Sequence, residues 1–278
     1  VLSWAELGLP NIDPTGALMS ERRTLKVSTF SRTKQHDRAV EGGFFRDEDL
    51  DIELDMTQAS KTQMGQLVDG VWDLVHTNFD NVLYWSEDHG AELLVVSAVP
   101  GTPRQDLVVR PEIKTFADLK GKVIAADAAE SGYITPLRKM LQEAGLNADD
   151  YTVEEYGATG GRVAAMASGK AFGAMVGEGR KLEGGMWVMD NINRMYTNYA
   201  SVIVTRRAWA EQNEDLVVRY LRAQLAAAES LYSDSGQQFD WDGMREMMEM
   251  REAVGYLRGP IDPERFASTH HFDKALKL

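Results

Sequence analysis

Two short runs of small and hydroxyl-bearing residues have the composition of an anion-binding site. Ser60-Lys61-Thr62 and Ser131-Gly132-Tyr133 each stand where a helical pattern begins, and Ser60 is the predicted N-cap of its helix. The first N–H groups of a helix have no partner within it, and the helix dipole favours negative charge there. Both runs therefore predict binding of a carboxylate, sulfonate or phosphate. The alternative is ordinary helix capping without a ligand.

The other candidate ligand-binding residues share one position, because each follows a predicted strand. They are Ser31, Arg32, Asn78, Asp80, Gly157, Ala158, Thr159 and Glu178. Ligands of open parallel sheets lie beyond the carboxyl ends of the strands. Arg32 and Lys61 favour an anionic ligand in an otherwise acidic protein, although single surface cations are usually just solvated. Glu178 would instead hold an amine or the N–H of a heterocycle.

Catalysis has weaker signals in the sequence. Lys34 and His36 lie in a polar loop and favour an enzyme as the alternative, whereas His76 lies inside a predicted strand, where a buried, hydrogen-bonded histidine is the default. The adjacent His270 and His271 would point in different directions on a helix, so we expect no metal site. No nucleophile elbow, P-loop or dinucleotide-binding motif is present, and we expect no cofactor.

The composition is typical of a soluble globular protein. The 278 residues are 44% hydrophobic and 26% charged, with a formal net charge of −13 and no cysteine. The acidic balance argues against a nucleic-acid partner, and no apolar run is long enough for membrane insertion. The absence of cysteine fits an exported protein. The start of the chain lacks a signal-peptide pattern, so a leader has been removed or never existed, and Met19 would be a plausible start of a cytoplasmic protein.

Strand and helix patterns alternate in two series, which predicts two wound sheets. The first series has strands at 25–30, 50–56, 72–77 and 92–98, with helices at 37–43 and 60–70. The second has strands at 106–110, 122–126, 151–156, 171–176 and 186–189, with helices at 133–144 and 160–168. The strands at 106–110 and 122–126 are predicted to be parallel, with a crossover between them. A strand at 199–205 and helices at 209–232 and 244–252 follow, and we expect them to return to the first lobe.

Several motifs in this order resemble one family. They are Gly43-Phe44-Phe45 before the strand at 50–56, Asp118-Leu-Lys-Gly-Lys-Val-Ile-Ala125 followed by Ser131-Gly-Tyr133, Gly157 with Arg162, Ala165 and Gly169, and Arg207-Ala-Trp209 with Arg219 and Arg222. From Leu25 onward the chain resembles the substrate-binding proteins of ABC importers of the nitrate/sulfonate/thiamine-precursor type. Asp49-Leu50 stands where the family has Gly-Leu. Two further departures are Gly177-Glu178-Gly179, where many members have a small or proline pair, and a region after Tyr232 that is shorter than in most members.

The resemblance implies an α/β fold of the type 2 periplasmic-binding-protein kind. Two lobes would each hold a doubly wound, mostly parallel sheet, with the ligand cleft between them. We expect an N-terminal extension over 1–24, a first lobe over 25–100 and 203–278, and a second lobe over 101–202. The hinge would lie in the crossings near 100–105 and 198–202. Relatives that make the thiamine pyrimidine are expected to use a lysine and histidine here with pyridoxal phosphate, but they also carry a cysteine-rich iron motif that this chain lacks.

The function predicted is capture of a small organic ligand, anionic or heterocyclic, by hinge closure for ABC-type import. The partners would be that ligand and an ABC permease, and the compartment periplasmic or exported. The alternative is a cytoplasmic enzyme on the same fold, a decarboxylase or hydrolase of an aromatic acid, with Lys34 and His36 as its candidate residues.

Overall fold

The computed structural model describes residues 22–99, 104–130, 132–197, 200–231 and 239–277. The strands are β1 (Arg23–Thr29), β2 (Leu50–Met56), β3 (Leu74–Asn78), β4 (Leu93–Ala98), β5 (Gln105–Val109), β6 (Val123–Ala126), β7 (Thr152–Glu155), β8 (Gly173–Gly177), β9 (Trp187–Asn191) and β10 (Ser201–Arg206). The helices are α1 (Lys34–Glu41), α2 (Phe44–Asp47), α3 (Ser60–Val68), α4 (Phe79–Glu87), α5 (Ile134–Glu143), α6 (Thr159–Ala167), α7 (Arg207–Gln212), α8 (Glu214–Leu231), α9 (Trp241–Ala253) and α10 (His270–Ala275).

The first sheet has the strand order β2-β1-β3-β10-β4. Its strands run in the same direction except β10, which is antiparallel to β3 and β4. In β2, Leu50, Ile52 and Leu54 face inward while the acidic residues between them face solvent, as the alternating pattern predicts. β4 is buried along its length, because its outer edge is covered where Val95 N–H donates to the carbonyl of Phe266. We call this sheet and its helices the first lobe.

The second sheet has the order β7-β6-β8-β5-β9, and with its helices it forms the second lobe. β5 is antiparallel to both of its neighbours, β8 and β9. The prediction that the strands at 106–110 and 122–126 are parallel is therefore wrong. β6 instead pairs in parallel with β7 and β8. Each lobe thus has four strands in one direction and a single reversed strand, which is a doubly wound, mostly parallel arrangement.

Several local predictions differ from the structure, among them the single helix at 209–232, which is interrupted at Asn213 between α7 and α8. α4 was not predicted, and it begins at Asn78, whose side-chain oxygen accepts the N–H of Asn81. Lys34 and His36 lie in the first turn of α1 and not in a loop, because Thr33 accepts the N–H of His36 and caps the helix. Ala59, and not Ser60, is the N-cap of α3.

The C-terminal helices contact both lobes. α10 packs on α8 and β4 in the first lobe, whereas α9 packs against α4 of the first lobe and α5 of the second. Met244 and Met247 on α9 belong to an apolar cluster that runs from Val75 in the first lobe to Leu107 in the second. This shared core holds the lobes together behind the cleft.

The predicted domain boundaries stay a prediction. β1 begins at Arg23, inside the predicted extension 1–24, and β10 begins at Ser201, two residues before the predicted return at 203. Much of each predicted hinge crossing, at 100–103 and 198–199, lies outside the described residues. Within the described ranges, no helix combines the length and apolar character needed to cross a bilayer.

Candidate binding cleft

A cavity of about 460 Å³ lies between the two lobes. On the first lobe its wall is made where strands end, by Thr29 and Ser31 after β1, Thr57 after β2, and His76 and Asn78 at the end of β3. In parallel strands these ends meet at one edge of the sheet, and the irregular backbone beyond them leaves polar groups for a ligand. The volume is in the range of small-molecule sites.

The second lobe closes the cavity with the corresponding residues of its own sheet. Asp127 follows β6, Thr159 and Arg162 form the first turn of α6 after β7, and Gln105 begins the reversed strand β5. Tyr133, just before α5, also lines the cavity and hydrogen bonds to Gln105. Strand ends of both sheets therefore face one common space.

Arg162 and Asp127 form the charged centre of the cleft. Arg162 Nη1 lies 3.4 Å from Asp127 Oδ1, and their side chains are only 5% and 11% exposed. Arg162 Nη2 donates to Thr159 Oγ1 at 2.8 Å, while Nε has no hydrogen-bond partner among the described residues. Burial raises the pKa of the Asp127 carboxyl, and the Arg162 guanidinium acts in the opposite direction. The pair leaves the cleft close to neutral.

The two helix N-termini that the sequence assigned to a ligand anion both face a carboxylate of the protein. At α3, Ser60 Oγ donates to Asp127 Oδ2 at 3.2 Å, which links the two lobes across the cleft. At α5, the N–H of Gly132 donates to Asp80, and Thr135 Oγ1 lies 3.2 Å from both Asp80 oxygens. The dipoles of these helices are therefore satisfied internally.

His76 forms part of the cleft floor. Its Nε2 is 2.8 Å from the Tyr220 hydroxyl on α8, as expected for a histidine inside a strand. Burial lowers the pKa of His76 to about 4, and the nearby His36 acts in the same direction. The imidazole is therefore neutral at physiological pH.

Of the sequence candidates, five described residues line the cleft. They are Ser31, Asn78, Tyr133, Ala158 and Thr159. Gly157 adjoins them, since a Cβ there would lie 3.8 Å from the carbonyl oxygen of Gln58. Ser131 lies outside the described residues.

The remaining candidates lie elsewhere. Asp80 is completely buried beneath the cleft, and Gly132 is buried beside it. Lys61 and Thr62 are exposed, Arg32 pairs with Asp37 at 2.7 Å, and Glu178 pairs with Arg104 at 3.0 Å. Neither Lys34 nor His36 is among the described residues that line the cleft.

Sequence reasoning did not select several residues that line the cleft, among them Thr57, His76, Asp127 and Arg162. Asp127 follows the predicted strand at 122–126 directly, so the rule applied to the other candidates would have included it. Arg162 directly follows the glycine-rich run 157–161, and its position in the family motif was the available signal.

A family model described as NMT1/THI5 like matches residues 38–237. Among curated proteins, none matches this sequence. The described fold is similar to that of the alkanesulfonate-binding protein SsuA from Xanthomonas axonopodis pv. citri bound to MOPS, with a TM-score of 0.65 and 22% identity over 85% of this chain and 81% of that one.

Two further solved structures share the fold. The periplasmic nitrate-binding protein NrtA from Synechocystis PCC 6803 has a TM-score of 0.73 and 13% identity, with coverage of 91% of this chain and 88% of that one. The desulfurization enzyme DszB has a TM-score of 0.61 and 16% identity, with coverage of 92% and 99%. At these identities the likeness establishes the type 2 periplasmic binding protein fold.

Proposed function

The chain belongs to the NMT1/THI5-like family, and on that premise we propose that it is a solute-binding protein that encloses a small organic ligand between its lobes. The observation that carries the proposal is the cleft itself, in which Arg162 and Asp127 of one lobe meet Ser60 and the strand ends of the other. A ligand that contacts both walls favours the closed arrangement over the open one.

The charges of the cleft favour a ligand that offers both an acceptor and a donor. Arg162 lines the cavity, and Nη1 and Nη2 of its guanidinium each carry a second N–H that can donate to an acceptor, while Asp127 can accept from a donor. A simple anion would satisfy Arg162 but bring a second negative charge beside Asp127, which costs free energy in a partly buried site. A nitrogen heterocycle or a zwitterion avoids this cost. Within the predicted class, we therefore favour a heterocyclic or zwitterionic ligand over a plain anion.

Matched probes test the ligand class. Uracil offers a neutral heterocycle, and taurine and ethanesulfonate share a sulfonate but differ by an amine. We expect uracil or taurine to raise the melting temperature and to give saturable heat in titration calorimetry, and ethanesulfonate to bind less tightly than taurine. Tighter binding of ethanesulfonate than of taurine would contradict the preference for a donor. If none of the probes, nor benzoate, binds, the proposal of a solute site fails for these classes.

Arg162 provides the sharpest test of the site. The substitution Arg162→Gln removes the charge-assisted hydrogen bond from the guanidinium to the ligand. We expect it to weaken binding of the tightest-binding probe about 10- to 100-fold. Arg180→Gln is the matched control, because Arg180 is an exposed arginine of the same lobe outside the cleft. Equal affinities of the two variants would exclude Arg162 as a ligand contact.

The partner proposed is the permease of an ABC importer, with the protein acting in the periplasm or outside the cell. Membership of the family and the fold shared with nitrate- and alkanesulfonate-binding proteins support this assignment. Closure should be visible as a smaller radius of gyration in solution scattering when the ligand is added. An unchanged radius at saturating ligand would argue against hinge closure as the mechanism.

Catalysis is the second candidate, because the same fold occurs in a desulfurization enzyme. The enzyme would be a decarboxylase or hydrolase of an aromatic acid, with Lys34 and His36 as its candidate residues. His36 is 6% exposed and its ring packs against Phe45, so the start of α1 would need to rearrange before His36 could reach a substrate. Release of product from aromatic acids such as 4-hydroxybenzoate, lost in His36→Gln, would support this alternative over simple binding.

A further inference from the structure

Three side chains joined by hydrogen bonds lead from α8 to the cleft. Gln224 Nε2 donates to the Tyr220 hydroxyl at 3.2 Å, and that hydroxyl is 2.8 Å from His76 Nε2. Gln224 and Tyr220 are 2% and 0% exposed. His76, the last of the three side chains, lines the ligand cavity.

The hydrogen bonds among these three side chains define which ring nitrogen of His76 carries the proton. Gln224 donates to Tyr220, so the single hydroxyl proton of Tyr220 needs an acceptor of its own. Within the described part of the structure, His76 Nε2 is the acceptor within reach of that hydroxyl. A neutral imidazole that accepts at Nε2 carries its proton on Nδ1.

The free nitrogen of His76 is accessible to solvent. Nδ1 has no hydrogen-bond partner among the described residues, and it is not one of the buried polar atoms left without a partner. His76 is half-buried and lines the cleft. A protonated Nδ1 would therefore meet a ligand as a donor.

We propose that His76 is a specificity-determining residue, fixed by Tyr220 and Gln224 as the neutral Nδ1–H tautomer and donating that N–H to an acceptor on the ligand. This inference rests on the proposed function, since it assigns a part of the same cleft. The acceptor needs no negative charge, so a ring carbonyl or an unprotonated ring nitrogen fits. Tyr220 and Gln224 act through His76 and are positioning residues.

The tautomer can be measured without a ligand. Two-bond ¹H–¹⁵N correlation spectra of protein labelled in histidine distinguish a protonated ring nitrogen from an unprotonated one, and His76→Gln assigns the signals. At pH 7 we expect His76 to have a protonated Nδ1 and an unprotonated Nε2. In Tyr220→Phe, which removes the hydroxyl, we expect the Nε2–H tautomer to become populated. A protonated Nε2 in the wild-type protein would overturn the inference, as would an unchanged tautomer in Tyr220→Phe.

Binding of uracil tests the donor role. His76→Phe should bind uracil about 3- to 10-fold more weakly, the effect of one neutral hydrogen bond. His89→Gln, at an exposed histidine of the first lobe, should bind as the wild type does. If uracil binds and His76→Phe leaves its affinity unchanged, the inference is wrong and the proposed function stands. If uracil and the other probes all fail to bind, both are wrong.

Discussion

Arg251 and Asp80 form an ion pair inside the protein, with Nη1 of Arg251 2.9 Å from Oδ1 of Asp80 and side chains that are 1% and 0% exposed. Arg251 comes from α9 and Asp80 from α4, and Asp80 also accepts the N–H of Gly132 at the start of α5. Arg251 Nη1 further donates to the carbonyl of Glu130 in the second lobe, at 3.2 Å. The pair therefore joins both lobes at the back of the cleft.

Removing Arg251 should destabilise the protein strongly. In Arg251→Met, Asp80 stays buried without its counter-charge, and we expect the free energy of unfolding to fall by about 3–5 kcal/mol. Urea unfolding monitored by tryptophan fluorescence measures this. Arg245→Met is the control, because Arg245 lies on the same helix but is 56% exposed, and its effect should stay below about 1 kcal/mol.

A double-mutant cycle tests the coupling of the pair. Because Asp80→Asn removes the charge that Arg251 balances, Arg251→Met should cost less in that background than in the wild type. Strictly additive effects of the two substitutions would show that Arg251 acts through packing and not through Asp80.

The start of α6 tolerates a methyl group at one glycine and not at its neighbour. A Cβ at Gly161 would lie 2.1 Å from the carbonyl oxygen of Tyr156, whereas a Cβ at Gly160 would meet nothing within 4 Å. Gly161→Ala should lower stability by about 1–3 kcal/mol and weaken ligand binding by shifting Arg162. Gly160→Ala should be neutral or stabilising by about 0.5 kcal/mol. Thermal unfolding and calorimetry check both, and equal melting temperatures would contradict the steric argument.

Stability should depend on pH through His76. Its pKa is about 4 in the folded protein and about 6.5 for an unperturbed histidine, so the unfolded chain binds more protons between these values. The contribution of His76 is thus fully present above pH 6.5 and is lost as the pH falls toward 4, by up to about 3 kcal/mol. His76→Gln should lose less stability than the wild type over this window. His36 and His271 are present in both proteins, so their own lowered pKa values cancel in the comparison.

Asp127 should control which ligand charge the cleft accepts. In Asp127→Asn the Arg162 guanidinium loses its partner, so the affinity for ethanesulfonate should rise relative to that for taurine by about 10-fold or more. Glu178→Gln is the matched control, because Glu178 is an exposed carboxylate of the same lobe that pairs with Arg104. An unchanged ratio of the two affinities in Asp127→Asn would show that Asp127 takes no part in ligand recognition.

Local patterns predicted most elements because they depend on neighbouring residues alone. The alternation in 50–56 matches β2, and the helices predicted at 60–70 and 133–144 correspond to α3 and α5, which are followed by Gly70 and Gly145 with φ of 81° and 86°. α4 was not predicted, because it is a short helix that follows β3 without a break. Its apolar side chains point into the core, so the sequence shows no amphipathic period that would indicate a helix.

The sequence by itself determined the fold family, the order of strands and helices, and the polar loops that follow the strands, since each of these depends on residues close together in the chain. Only the tertiary structure decided which charges meet. Asp80 lies at the N-terminus of α5 and Asp127 at the N-terminus of α3, although both belong to distant segments of the sequence. The sequence predicted a ligand at both positions. The reversal of β5 likewise depends on its pairing with β8, some 68 residues away. Such contacts are set by how the lobes pack, and no local pattern encodes them.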